Sequence, residues 1–425
     1  MEPSDKEKAK GWVPIVVGGS EAEHGPDDEG EPEPPDWRFL SDVFQRGDPL
    51  FRNVLFLEGC DSFPNIYVIV GDYLTVVDPG NDYTAMMQLF EHPEYAPGDI
   101  RKIVLTHGDP DRAMGTMELF RYPSIKNNPV LEIVLHGEGP PGLKKITRQF
   151  GVRLTEVEDG QALDLSGFPW TVIHTPGRFE DGICLLHVPT RTLMSGLMDL
   201  PGAAAALDER ARARMDRHLA SMRSLVRHEI ENILPAHGLP VASEGGRAVE
   251  SGYLAVLLKV IGVNREEVPS LFEAASAAAR AGLPEDAVLC CNMALAANPD
   301  DTRPVKLRAF CLNDLGEFDE AIQAFTLLER RSPGEMNDPS AMTGRGNSYL
   351  GLGRYEEGLR CFEKVLETRP DREDALLGKA FALFLSGNVD EAMEIEAFKS
   401  GLRERVKEEM LKTVASGRTG GQENA

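Results

Sequence analysis

Four glycines, Gly282, Gly316, Gly353 and Gly387, stand 34, 37 and 34 residues apart in the second half of the chain. A fixed period of this length constrains the fold more than any other feature. A unit of that size cannot bury its apolar face alone and must stack on copies of itself. Other positions share the period. Five residues after each glycine stand Ala287, Ala321, Gly358 and Ala392, and seventeen after the first three stand Pro299, Pro333 and Pro370. Phe325 and Phe362 follow their glycines by nine residues. Small residues let two helices approach closely, aromatic rings fill the seam between hairpins, and the proline ends the second helix. The 37-residue gap implies a three-residue insertion near SPGEMND. The fourth unit has Glu396 in place of the aromatic residue and lacks the proline, as a capping unit would.

With NDLGEFDEAIQAFTLLERRSP and LGLGRYEEGLRCFEKVLETRP as its central units, this stretch resembles the tetratricopeptide repeat over roughly Val268 to Ser400, about four units. The resemblance implies an all-α solenoid whose concave groove takes a protein or peptide partner. Packing or homo-oligomerisation is the plainer use of such a surface.

The first half of the chain has another rhythm. Short runs rich in β-branched residues, VLFLEG, IYVIVGD, YLTVVDPG and IRKIVLTHG, alternate with helical stretches such as DYTAMMQLFEHP. PVLEIVLHGEGP, VRLTEVEDG, FPWTVIHTPG, GICLLHVPT and RTLMSGLMDL supply further strands. A long amphipathic helix then runs from Glu209 and leads into a strand that ends near His237. The pattern predicts a layered α/β sandwich over residues 37–263. Residues 1–36, with SEAEHGPDDEGEPEPPD at their end, read as a disordered acidic tail, and residues 401–425 as a flexible one.

The net charge of −24, from 69 acidic and 45 basic residues, argues against nucleic acid and anionic membranes as partners. No apolar run reaches the ~20 residues that span a bilayer. The six cysteines include no CxxC pair and read as buried thiols of a reducing cytoplasm. Walker, dinucleotide and GxSxG motifs are absent, so nucleotide binding and serine hydrolysis have no support.

Five segments in order, NIYVIVGDYLTVVDPG, LTHGDPDRAMG, VIHTPGRFEDGICLL, TLMSGLMDL and NILPAHG, resemble the metallo-β-lactamase superfamily from about Asn53 to Gly238. The resemblance implies an αββα sandwich with two metal ions at the strand ends. It implies a metal-bound hydroxide that attacks an ester, thioester or amide. Carried over residue by residue, the motif is damaged. His107, Asp111 and His237 match ligand positions, and Asp109 stands where a second histidine is usual. Arg112 and Arg178 replace histidines, and Leu197 replaces the bridging aspartate. Arginine keeps its proton and cannot ligate. At ~5 Å and an effective dielectric of ~20 it repels a dication by several kcal/mol. Asp109 and Asp111 could instead pair with Arg112 and Arg178.

The expectation is therefore at most one zinc or iron ion, held by His107, Asp109, Asp111 and His237 with Asp111 as the catalytic group, or none. His136, His174, Asp181 and Asp199 lie close enough to serve as replacement ligands, although structural hydrogen bonding is the plainer role for each. Three functions remain open: a metallo-hydrolase with a degraded site, a non-catalytic scaffold or sensor, and a flavodiiron-like iron or oxygen-binding protein.

Overall fold

The computed structural model describes residues 37–59, 64–80, 84–196, 198 and 214–404, the side chains of residues 84, 85 and 111 excepted. The expectations for residues 1–36, for Leu197 and Asp199, and for the tail beyond residue 404 lie outside the described residues. Residues 401–404, counted with the tail above, are helical. The chain divides into two compact units between Gly262 and Val263.

The first unit is built on two sheets. Strands β1 (Arg38–Phe39), β2 (Val54–Leu57), β3 (Ile66–Val70), β4 (Leu74–Val77), β5 (Ile100–Val104), β6 (Glu132–His136) and β7 (Arg153–Val157) form one sheet in sequence order. Its first four strands are antiparallel neighbours. From β4 to β7 the pairing is parallel. Parallel neighbours need crossovers, which the helices Thr84–Glu91, Pro110–Leu119 and Pro141–Gln149 supply. The second sheet has the order β12 (Asn232–Leu234), β11 (Thr192–Met194), β10 (Ile183–His187), β9 (Phe168–His174) and β8 (Ala162–Leu165). The long helix expected from Glu209 is described as Met215–Val226 and packs on Gly245–Ile261.

Strand alternation explains why β2, β3, β4, β10, β11 and β12 are buried almost throughout. Val54, Phe56, Tyr67, Ile69, Val77 and Val104 point from the first sheet to Trp170, Val172, Leu185 and Met194 of the second. Their neighbours Leu55, Leu57, Ile66, Val68, Val76 and Ile103 point the other way, to the helices. Each strand thus serves two cores with period two. The register also sets the site. Val77 lies beside Val104, and Val104 beside Val134, so the chain leaves β4, β5 and β6 at one edge. His174 pairs with Ile183, and Met194 with Leu234, which puts the ends of β9, β11 and β12 at one edge of the second sheet. Backbone bonding joins the two edges, since Ile183 N donates to Thr106 O at 2.8 Å.

Among the described residues, the second unit forms four helical hairpins: Leu271–Arg280 with Pro284–Ala297, Thr302–Leu315 with Phe318–Arg331, Pro339–Gly351 with Tyr355–Thr368, and Glu373–Leu385 with Val389–Glu394. The periodic glycines sit between the two helices of each hairpin at φ of 75°, 78°, 73° and 94°, a left-handed backbone that excludes most other residues. The expected insertion forms the short helix Pro333–Met336. In the fourth hairpin the helix breaks at extended Ile395 and resumes over 396–404. The break carries Phe398 into the place that Glu396 leaves vacant. Its ring meets Phe381 edge-on at 5.2 Å, as Phe325 meets Phe310 at 5.6 Å two hairpins earlier.

Within and between hairpins, rings enter holes left by glycines. A Cβ on Gly378 would stand 2.4 Å from Cε1 of Phe362, and one on Gly346 would stand 2.7 Å from it. Phe362 is fully buried and cannot swing aside. Gly378→Ala is therefore expected to cost about 1–3 kcal/mol by overpacking. Adding Phe362→Leu should recover part of the loss, which urea unfolding of the two variants would measure. Equal stability of Gly378→Ala and the wild type would show that the seam is loose.

Candidate metal centre and its guanidinium

The site is assembled where β4, β5 and the loop after β12 end. Asp78 follows β4 with φ of 50° and is 4% exposed. Its carboxylate accepts from Thr106 N at 2.8 Å and from Thr106 Oγ1 at 2.6 Å. Its own N–H donates to Val104 O. His107 comes next along the chain and is 1% exposed. Its Nδ1 lies 3.3 Å from Thr106 Oγ1, and its ring stacks on Phe179 at 4.5 Å. Two glycines let the loop lie flat against its surroundings. A Cβ on Gly108 would meet Pro140 Cδ at 2.3 Å, and one on Gly115 would meet Pro79 O at 2.5 Å.

Asp109 precedes the helix Pro110–Leu119 without capping it through its side chain. Asp111 lies in that helix, and its side chain is outside the described residues. Arg112, one residue further, is completely buried. Its Nη2 lies 3.3 Å from His237 Nε2 and its Nη1 lies 3.8 Å from Asp78 Oδ2. Arginine has no acceptor, so His237 Nε2 receives this hydrogen bond with its lone pair. Arg112 thus reaches Asp78, a carboxylate outside the Asp109–Asp111 pair expected to neutralise it. Arg178 lies 5.8 Å from the centroid of the Phe179 ring, the ring on which His107 stacks.

The four replacement candidates divide as follows. His136 and His174 stack on one another at 3.8 Å with ring planes 15° apart. His136 Nδ1 accepts from Glu138 N, and His174 Nε2 bonds Glu180 O at 2.7 Å. Asp181 accepts from Gly108 N at 2.7 Å and pins the histidine loop. Each of these three has a structural partner. Burial raises the pKa of Asp181, against the Gly108 hydrogen bond that lowers it. Burial, then neighbouring His174, lowers that of His136.

Whether this set fits a metal ion turns on Arg112. A divalent cation needs the bare nitrogen of His237, and that nitrogen faces a fixed guanidinium. Among the described residues, no three His, Cys, Asp or Glu side chains are arranged to hold a metal ion. Among the described residues, those around His107 and His237 do not fit the metal that the motif implies. The sequence alone places Asp78 only in a turn and gives no sign of Thr106 or Phe179. Nothing in their spacing signals a role, because each reaches the site through the tertiary fold.

His107 carries a pH prediction. Burial foremost, then the charges of Arg112, Arg178 and His237, hold its pKa well below the ordinary 6.5. The unfolded chain therefore binds the proton that the folded chain refuses. Stability is full above about pH 6.5 and falls as pH drops below it, by up to about 1.4 kcal/mol per pH unit from this group. The midpoint of thermal unfolding should fall between pH 7.5 and 5.5, and fall less steeply in His107→Gln. Parallel profiles for the two proteins would count against a neutral buried His107.

The model of the metallo-β-lactamase superfamily matches residues 61–237, and that of the tetratricopeptide repeat matches residues 272–335 and 343–401. Among curated proteins, a CTR9 homolog from Arabidopsis thaliana is 32% identical over 77 residues, 18% of this chain and 7% of that protein. Among solved structures, a mutant flavo di-iron protein from Thermotoga maritima is 16% identical with a TM-score of 0.39. The match covers 52% of this chain and 63% of that one. A metallo-β-lactamase family protein from Thermus thermophilus is 17% identical with a TM-score of 0.36, over 58% and 94% of the two chains. This chain therefore spans under two thirds of the Thermotoga protein and a small fraction of the Arabidopsis one. Fold, motif order and both family matches agree: the chain joins a metallo-β-lactamase superfamily domain to a tetratricopeptide repeat array.

Proposed function

We propose that the metallo-β-lactamase-like domain of this chain is non-hydrolytic, its cleft filled by its own guanidinium, and that the chain works as a scaffold or sensor through its repeat array. The observation that carries this reading is the completely buried Arg112, 3.3 Å from His237 Nε2 and 3.8 Å from Asp78 Oδ2. A guanidinium there meets the electrostatic need of Asp78 and takes the lone pair that a metal would use. It brings no Lewis-acidic site to lower the pKa of a water. A one-metal hydrolase using His107, Asp109, Asp111 and His237 would require Arg112 to leave a buried pair. Breaking such a pair costs about 3–5 kcal/mol. The repeat groove is the natural place for a protein or peptide partner, since repeats of this kind generally mediate such contacts. Five buried free thiols among the described cysteines suit a reducing compartment such as the cytoplasm. No helix of the described residues is long and apolar enough to cross a membrane.

Metal content and metal-linked stability test the reading. Full-length protein purified without chelator should carry substoichiometric zinc and iron, and chelator should leave its unfolding midpoint unchanged. Arg112→His, which exchanges the guanidinium for an imidazole, should bind zinc at least about tenfold more tightly than the wild type. Added zinc should then raise the variant's unfolding midpoint and not that of the wild type. Stoichiometric metal in the wild type, with a midpoint that drops on chelation, would sink the proposal and favour the metallo-hydrolase.

A further inference from the structure

The far end of the array holds an unusual concentration of apolar surface. Of the exposed large apolar side chains among the described residues, five fall between residues 381 and 402: Phe381, Phe384, Leu385, Val389 and Leu402. Repeat arrays stay soluble by giving the outer face of a terminal unit polar side chains. Here Phe381 is 48% and Leu385 49% exposed. The repeat register explains what that face is shaped for. Phe310, six residues before its glycine, is covered by the next hairpin, whose Gly344 leaves room for the ring. Phe381 stands six residues before Gly387, and among the described residues no following hairpin covers it. The face has the form of a socket for one more helix.

Charge decides which helix. Asp390, Glu391, Glu394 and Glu396 lie on the segment that packs beside the Phe381–Phe384 ridge, and all four are exposed. None takes part in an ion pair among the described residues, and Glu396 has only a hydrogen bond from Ser400 Oγ. A second copy of the same face would set these carboxylates against their own images, a repulsive arrangement. An apolar stripe flanked by lysine or arginine would meet both the rings and the rim.

We infer that the terminal face formed by Phe381, Phe384 and Leu385, with its rim of Asp390, Glu391 and Glu394, docks a basic amphipathic helix of a partner protein. The helix takes the position of a fifth repeat's first helix, outside the groove. This inference does not depend on the state of the Arg112 cleft.

A synthetic amphipathic peptide of alanine, leucine and lysine, about five turns long, is the probe. The same peptide with glutamate for lysine is the control. Titrated against the full-length chain by fluorescence anisotropy, the lysine peptide should bind saturably, and more weakly as salt rises. Phe384→Glu with Leu385→Glu should weaken it at least about tenfold. So should Glu391→Lys with Glu394→Lys, whose exposed positions keep the test valid if the first pair disturbs folding. Equal affinity of wild type and the charge-reversed variant would overturn the inference, as would equal binding of the glutamate peptide. Two other results would assign the face elsewhere and also overturn it. One is a concentration-dependent dimer, seen by sedimentation, that the Phe384→Glu/Leu385→Glu variant loses. The other is much tighter peptide binding by a chain stopped after Glu404, which would make residues 405–425 the occupant.

Discussion

Asp78 is the point on which the first domain's site is hung. Its carboxylate takes two hydrogen bonds from Thr106 and sits beside the Arg112 guanidinium, while its N–H bonds Val104. One residue thus ties the end of β4, the end of β5 and the helix that follows. It does so from a left-handed backbone, a conformation that costs an aspartate little because its short polar side chain tolerates it. A buried carboxylate without a counter-charge would be expensive. The cation that supplies the counter-charge in this chain is covalently part of it. The identity of the residue at position 112 therefore bears on the geometry of three segments at once, since the same guanidinium also reaches His237 after β12.

Much of the fold could be read from the sequence because its signals are periodic. The glycines at Gly282, Gly316, Gly353 and Gly387 carry a backbone requirement that only a glycine meets easily, and it recurs at every hairpin. The strands were legible for the opposite reason: β2, β3, β4 and β6 carry apolar residues on both faces because each lies between two cores. What escaped was aperiodic. The break at Ile395 shifts the aromatic by two residues, so that Glu396 looked like a loss while Phe398 filled the place. The helices Pro141–Gln149 and Gly245–Ile261 have no motif to announce them.

At the site, the sequence identified the anomaly and not its solution. Arg112 and Arg178 were recognisable as residues that cannot ligate, because that follows from the chemistry of the side chain alone. That Arg112 also meets Asp78 depends on the path of β4, which the sequence does not announce. His107, Arg112 and His237 do converge; His136 and His174 instead lie on one another, and Asp181 is engaged by Gly108. Residue chemistry alone marks the arginines as non-ligands, whereas the contact of Arg112 with Asp78 depends on the tertiary path of the chain.

Under the proposed reading, a guanidinium standing in for a metal would change how such a cleft responds to its surroundings. A metal centre is a binding equilibrium: its occupancy shifts with free metal, with competing chelators and with protons on the ligands. A guanidinium holds its charge at every physiological pH and cannot dissociate. Its geometry is planar and its donors are fixed, and from one position it reaches His237 Nε2 at 3.3 Å and Asp78 Oδ2 at 3.8 Å. In a chain whose surface is strongly acidic overall, this internal cation is also shielded from solvent by complete burial. The domain thus keeps the two-sheet scaffold of its superfamily with a buried arginine cation at its strand ends.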